Sequence, residues 1–95
     1  LLSADQALEW GLINEVVPDD KLMERVMEVA QQLAAGPTLA YGESKRLIAD
    51  SLGNSMETQM EMETRAIAGL ARASEDTVNA IDAFVNKRKP EFKGK

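Results

Sequence analysis

Leu22-Met23-Glu24-Arg25-Val26-Met27-Glu28-Val29-Ala30-Gln31-Gln32-Leu33-Ala34-Ala35, followed by Gly36-Pro37, is the stretch whose periodicity decides the fold. Leu22, Val26, Val29, Ala30 and Leu33 recur at helical spacing and share one face. Met23, Met27 and Ala34 widen that face, while Glu24, Arg25, Glu28, Gln31 and Gln32 fall opposite. The spacing predicts a helix over 22–35 with one side for a core and one for water. Asp19 or Asp20 can cap its start, and Gly36-Pro37 ends it.

Working outward, the same punctuation repeats. A third helix is expected from Pro37 or Thr38 to about Leu52, because Pro suits a first helical turn. Its apolar half is Ala40, Tyr41, Leu47, Ile48 and Leu52. Gly53 breaks it. Asn54 or Ser55 then caps a fourth helix running to about Arg72, with Met56, Met60, Ile67 and Leu70 expected inward. Ser74 caps a fifth, Glu75 to Lys87, with Val78, Ile81 and Val85 expected inward. Pro90 ends the order, and Glu91 to Lys95 reads as a tail. On the other side, Ser3 and Gln6 have the capping-box spacing for a first helix, Ala4 to Trp10, which Gly11 stops. Leu12 to Val17 is apolar and β-branched and reads as one short strand closed by Pro18. The expected fold is all-α, about five helices with one short extended segment, in one small domain.

Composition narrows the chemistry. The 95 residues carry a net charge of −5, no His and no Cys. An acidic chain is a poor general ligand for nucleic acid, although Lys87, Arg88, Lys89, Lys93 and Lys95 crowd the end. Without Cys there is no disulfide or thiolate metal site, and without His the commonest metal ligand and near-neutral acid–base group are missing. No apolar run is long enough to span a membrane. The start lacks an initiator Met and a basic, then apolar, leader, and reads as cut from something longer. We therefore expect no metal, no nucleic-acid partner and no membrane partner, and a cytoplasmic location. With a core this small, the chain is expected to need partner surfaces.

Three features break the amphipathic pattern. Lys45 projects among Tyr41, Ile48, Ala49 and Leu52, and Glu63 among Met56, Met60, Ile67 and Leu70. A charge on an apolar face needs a partner or a route to water. A structural ion pair across the third and fourth helices is expected, rather than a catalytic Glu63, because no acid–base partner or oxyanion donor accompanies it. Phe84 and Lys87 lie three apart on the fifth helix, sharing a face offset from Val78, Ile81 and Val85. On these residues alone a helix contact and a solubilising charge outweigh a site that stacks a flat ring and holds a phosphate.

Ser3-Ala4-Asp5-Gln6-Ala7-Leu8-Glu9-Trp10-Gly11-Leu12-Ile13-Asn14-Glu15-Val16-Val17-Pro18 resembles the S-A-x-E-A-x-x-x-G-L-V-x-x-V-V-P segment of the crotonase superfamily, the enoyl-CoA hydratases and isomerases. Leu33-Ala34-Ala35-Gly36-Pro37, Lys45, Glu63 and Ser74-Glu75-Asp76 follow in the family's order. Ala83-Phe84-Val85-Asn86-Lys87-Arg88-Lys89-Pro90-Glu91-Phe92 resembles its A-F-x-E-K-R-x-P-x-F, with Asn86 in place of Glu. The likeness runs along essentially the whole chain. It implies the C-terminal helical part of the crotonase fold, with the catalytic core and its oxyanion hole outside this chain. No catalytic residue is therefore assigned. The resemblance implies self-association as a trimer or dimer of trimers. It implies acyl-CoA as the ligand, a thioester substrate rather than a tightly bound cofactor. It also implies contact with the adenine and phosphate end of CoA by Phe84 and Lys87. Gly36-Pro37-Thr38-Leu39-Ala40 resembles, more faintly, isomerases of phenylacetate breakdown. Two other classes are weighed against this. One is an acyl carrier, for which Asp50-Ser51-Leu52 is the right tripeptide at the wrong end of a helix. The other is a free-standing helical interaction module.

Overall fold

Ser3, Ser55 and Ser74 each open a helix by accepting a backbone N–H three residues on: Gln6 at 3.2 Å, Thr58 at 3.2 Å and Thr77 at 3.3 Å. These caps organise the computed structural model, which describes residues 1–95. In chain order the helices are α1 (Ala4–Glu9), α2 (Leu22–Ala34), α3 (Thr38–Ser51), α4 (Met56–Ala73) and α5 (Glu75–Val85). The fold is all-α, and it contains no strand. It divides into two compact units, Leu1–Gln31 and Gln32–Lys95.

In the first unit the Gln6 side chain returns the cap by accepting the Ser3 N–H at 3.2 Å, completing the capping box. Gly11, at φ +71°, ends α1. The Leu12 N–H donates to the Ala7 carbonyl and the Gly11 N–H to the Leu8 carbonyl, the paired bonds of a Schellman stop. Leu12 to Val17 does not form the expected strand. A strand needs a second edge for its backbone groups, and this chain offers none. The link to α2 is held instead by Arg25, whose Nε donates to both Glu15 carboxylate oxygens at 2.9 Å. A 3₁₀ turn over Asp19–Lys21 runs straight into α2, so neither Asp19 nor Asp20 serves as a side-chain cap. The expected core face of α2 is not buried within this chain: Leu22, Met23, Val26, Met27, Val29 and Leu33 all remain exposed.

In the second unit α3 packs on α4, and α4 on α5. The inward residues are mostly not those the apolar stripes predicted. On α4, Gln59, Met62, Ala66 and Leu70 turn inward at spacings of three and four, while Met56, Met60 and Ile67 are exposed. On α5, Asp76 and Ala83 are buried, and Val78, Ile81 and Val85 are exposed. On α3, Ala40, Glu43, Leu47 and Asp50 are partly covered, and Tyr41, Ile48 and Leu52 are exposed. Small side chains let the helix backbones approach, and Gln59 ties two of them by donating from Nε2 to the Leu47 carbonyl at 3.1 Å.

Candidate functional site

The chain end is ordered against α5, and this corrects the reading of residues 91–95 as a tail. Asp76 is only 5% exposed. One of its carboxylate oxygens accepts the Lys93 N–H at 2.7 Å, the other the Gly94 N–H at 2.8 Å. The Asp76 N–H donates to the Lys95 carbonyl at 3.0 Å, and the Ser74 hydroxyl donates to the same oxygen at 3.4 Å. Gly94, at φ +71°, supplies the left-handed bend of this hook and lies against Thr38. Phe92, half buried, helps to line a cavity of about 250 Å³ with Leu39, Leu70, Ala80 and Ile81, and Asp76 stands at its edge. The two signals for this docking were both in the sequence: an aromatic residue after Pro90, and a second acid behind the Ser74 cap.

At the opposite end of α5, Phe84 is 85% exposed. Lys87 has φ +53° and is the one non-glycine residue with a left-handed backbone. The Arg88 N–H donates to the Ala83 carbonyl at 2.9 Å and the Lys87 N–H to the Phe84 carbonyl at 3.2 Å. This is the same Schellman stop that ends α1, with Lys87 in the position that Gly11 takes there. A side chain in that conformation costs on the order of 1 kcal/mol relative to Gly. The turn is braced by Arg88, whose guanidinium forms an ion pair with Asp82 and donates to Asn79 Oδ1 at 3.2 Å. Asn86 caps the same segment by donating to the Asp82 carbonyl at 3.0 Å and to its carboxylate at 2.8 Å. α5 ends at Val85, so Phe84 lies in its last turn and Lys87 just past it in the left-handed position, rather than both on one face of a helix reaching Lys87 as expected.

Lys45 and Glu63 do not pair. Glu63 accepts from Gln59 Nε2 at 3.2 Å, and Lys45 makes no ion pair. The cause is rotation: α3 turns Leu47 toward α4, and two residues back along a helix lies about 160° around it. Lys45 therefore leaves on the far side. Arg46 stays on the near side, where Glu43 and then Asp50 raise its pKa by hydrogen bonding and charge. Arg25 is raised in the same way, by the hydrogen bonds it donates first to Glu28 and then to Glu15. Ser51 closes α3 with its hydroxyl on the Ile48 carbonyl at 2.7 Å, so Asp50-Ser51-Leu52 sits at a helix end. No cluster of three or more acidic, His or Cys side chains is arranged to hold a metal ion, and no helix is long and apolar enough to cross a membrane.

Comparison with known proteins agrees with this architecture. The chain is 40% identical over 94 residues to 1,2-epoxyphenylacetyl-CoA isomerase of Escherichia coli K12, covering 99% of this chain and 36% of that protein. It is 32% identical over 94 residues to 2,3-dehydroadipyl-CoA hydratase of the same organism, with the same coverage of each. Among solved structures, enoyl-CoA hydratase of Bacillus anthracis superposes with a TM-score of 0.84 at 32% identity, over 98% of this chain and 36% of that one. An enoyl-CoA hydratase/isomerase of Mycobacterium paratuberculosis gives 0.88 at 29% identity, over 98% and 36%. The chain thus spans just over a third of the length of these relatives. The profile of the enoyl-CoA hydratase/isomerase family matches residues 1–95 from end to end, and the chain belongs to that family.

Proposed function

We propose that this chain is the C-terminal helical region of an enoyl-CoA hydratase/isomerase, where it contributes subunit assembly surface and one wall of the CoA site. The observation that carries the second part is the open end of α5, where an exposed Phe84 sits three residues before a left-handed Lys87. An aromatic face stacks on a flat heterocycle, and an ammonium near it pairs with phosphate. CoA presents both chemistries at the end remote from its thioester. The parent reaction on this reading is hydration of a 2-enoyl-CoA or a shift of its double bond, through an enolate held by backbone N–H donors outside this chain. Relatives named as an isomerase and a hydratase of CoA thioesters support the substrate class.

Assembly is supported by the exposed apolar faces of α2, α4 and α5, which are large for surface never covered. The same faces favour self-association, in the trimer or dimer of trimers that the family likeness implies. The test is kinetic. In the complete enzyme, Phe84→Ala and Lys87→Ala should each raise KM for a CoA ester several-fold with little loss of kcat, because both side chains are remote from the reacting carbon. An unchanged KM in both variants would remove the CoA contact from the reading. This chain alone should not turn over crotonyl-CoA; turnover abolished by Glu63→Gln would show that it carries an active site of its own.

A further inference from the structure

Two helices of this chain end in the same hydrogen-bonded stop, and only one of them uses Gly. At α1 the left-handed position is Gly11, which adopts it freely; at α5 it is Lys87, which does not. Something must hold Lys87 there. The Schellman bonds are common to both ends and so do not explain the difference. What α5 has in addition is the local brace of Asn86 and Arg88 on Asp82 and Asn79, and beyond it the return of the chain along its own helix to Asp76.

The lengths make that return a short strap. From Asp76 to Lys87 the helix rises about 16 Å, at 1.5 Å per residue. From Lys87 to Lys93 an extended chain of six steps reaches about 20 Å. Little slack remains once the strap has stepped sideways off the helix. The chain must therefore reverse within one residue after Asn86, and a left-handed residue is what reverses a helix end so sharply. The far end of the strap is fixed by the two backbone N–H groups of Lys93 and Gly94 on the buried Asp76 carboxylate, and by the Lys95 carbonyl on Ser74 and the Asp76 N–H. Phe92, next along the chain, lines the cavity with Leu39, Leu70, Ala80 and Ile81. Arg88 braces the near end through Asp82 and Asn79.

We propose that Asp76 is a positioning residue for the CoA contact: its carboxylate anchors the chain end, and the strap so tensioned holds Lys87 in the left-handed conformation that fixes where its side chain leaves α5. The inference rests on the reading of Lys87 as a CoA contact. Asp76 itself, buried beside the cavity eleven residues earlier, touches no ligand. The strained backbone sits at the candidate contact residue and is over-determined by its surroundings, which is the pattern expected where a local conformation serves binding.

The test uses the complete enzyme. Asp76→Asn keeps the shape but replaces one acceptor with an NH₂ group facing a backbone N–H. It should speed deuterium exchange in the peptide spanning residues 92–95. It should also raise KM for the CoA ester by about three- to tenfold while kcat stays within about twofold. Deletion of Phe92–Lys95 should give the same KM, and it carries the test if Asp76→Asn does not fold. In a Lys87→Ala background, Asp76→Asn should raise KM no further, because the side chain it positions is gone. Lys87→Ala raising KM while Asp76→Asn and the deletion both leave it unchanged would overturn the positioning role alone. Effects of Asp76→Asn and Lys87→Ala that simply multiply would overturn it too. An unchanged KM in Lys87→Ala would instead remove the contact on which the role depends.

Discussion

The buried positions of α4 and α5 carry small and polar residues, and most of their large apolar ones, apart from the half-covered Met62 and Leu70, lie open. Ala66, Ala83, Ser74 and Asp76 are buried, whereas Met60, Ile67, Val78 and Val85 are open. In a self-sufficient bundle the assignment would be reversed, since burying a large aliphatic side chain contributes about 1.5–3 kcal/mol and burying Ala far less. The inward contacts fix how closely the helices pack. The outward faces hold most of the apolar area, and they stabilise nothing until another surface covers them. An apolar stripe thus does not by itself say which side of a helix packs within the chain.

That contrast can be broken most severely from the inside. Ala83 has no exposed surface at all. Ala83→Leu would force three extra carbons between α5 and its neighbours and should cost about 1–3 kcal/mol, read as a lower urea midpoint. Ile67→Ala, on the outward face at 69% exposure, should move the midpoint of this chain by less than about 0.5 kcal/mol. The same Ile67→Ala in the complete enzyme should cost about 2 kcal/mol or more if that face is covered there. Equal effects of Ile67→Ala in the chain and in the complete enzyme would remove the contrast.

Association sharpens it next. The chain should sediment as a concentration-dependent oligomer, and Ile67→Lys with Val78→Lys should shift it toward monomer by placing charge on the exposed apolar faces. A strict monomer at high concentration without substitution would show that these faces do not drive assembly on their own.

Much of the fold was legible before any coordinates. The caps at Ser3, Ser55 and Ser74 and the stops at Gly11 and Gly36-Pro37 act through local hydrogen bonds and backbone sterics, so sequence displays them directly. The faces were not legible, for the reason just given. Lys45 and Glu63 were placed on their apolar faces correctly by angle, yet their pairing depended on how α3 is rotated against α4, a tertiary quantity. Leu12 to Val17 has the composition of a strand, but strand formation is decided by a partner edge rather than by the segment. At the candidate site, Phe84 and Lys87 were grouped by helical spacing, but α5 stops at Val85, short of Lys87. The anchoring of residues 93–95 by Asp76 was signalled only by residue types, Phe92 after Pro90 and a second acid behind Ser74, because its contacts run seventeen and eighteen residues along the chain; nothing in the sequence marked Lys87 as left-handed.

A smaller effect follows from that rotation. Because Lys45 and Glu63 lie on different sides of the α3–α4 contact, a double-mutant cycle of Lys45→Met and Glu63→Gln should give a coupling within about 0.3 kcal/mol of zero. A coupling near 1 kcal/mol would mean that the two side chains meet in solution.

The smallest expected effect compares the starts of α4 and α5, each with a Ser cap and an acid two residues further on. Asp76 spends its carboxylate on the distant chain end, whereas Glu57 turns its own back on the local helix start. The nearby backbone N–H of Glu57 itself and then the Ser55 hydroxyl hold the Glu57 pKa below the ordinary 4.5. A carboxylate at a helix N-terminus is also favoured by the orphan N–H groups there. A folded pKa below the unfolded one means that the folded state binds fewer protons in this range. The contribution is therefore fully present above the unfolded value and is lost as pH falls through the folded one. Because Glu57 is fully solvent-exposed, water and salt screen the effect, and it should be visible only as a shallow acid limb. Glu57→Gln should leave the urea midpoint slightly lower at neutral pH and nearly unchanged at the foot of the acid limb, so the two curves converge as pH falls. Curves that stay parallel across that window would show that Glu57 is not titrating against the start of α4.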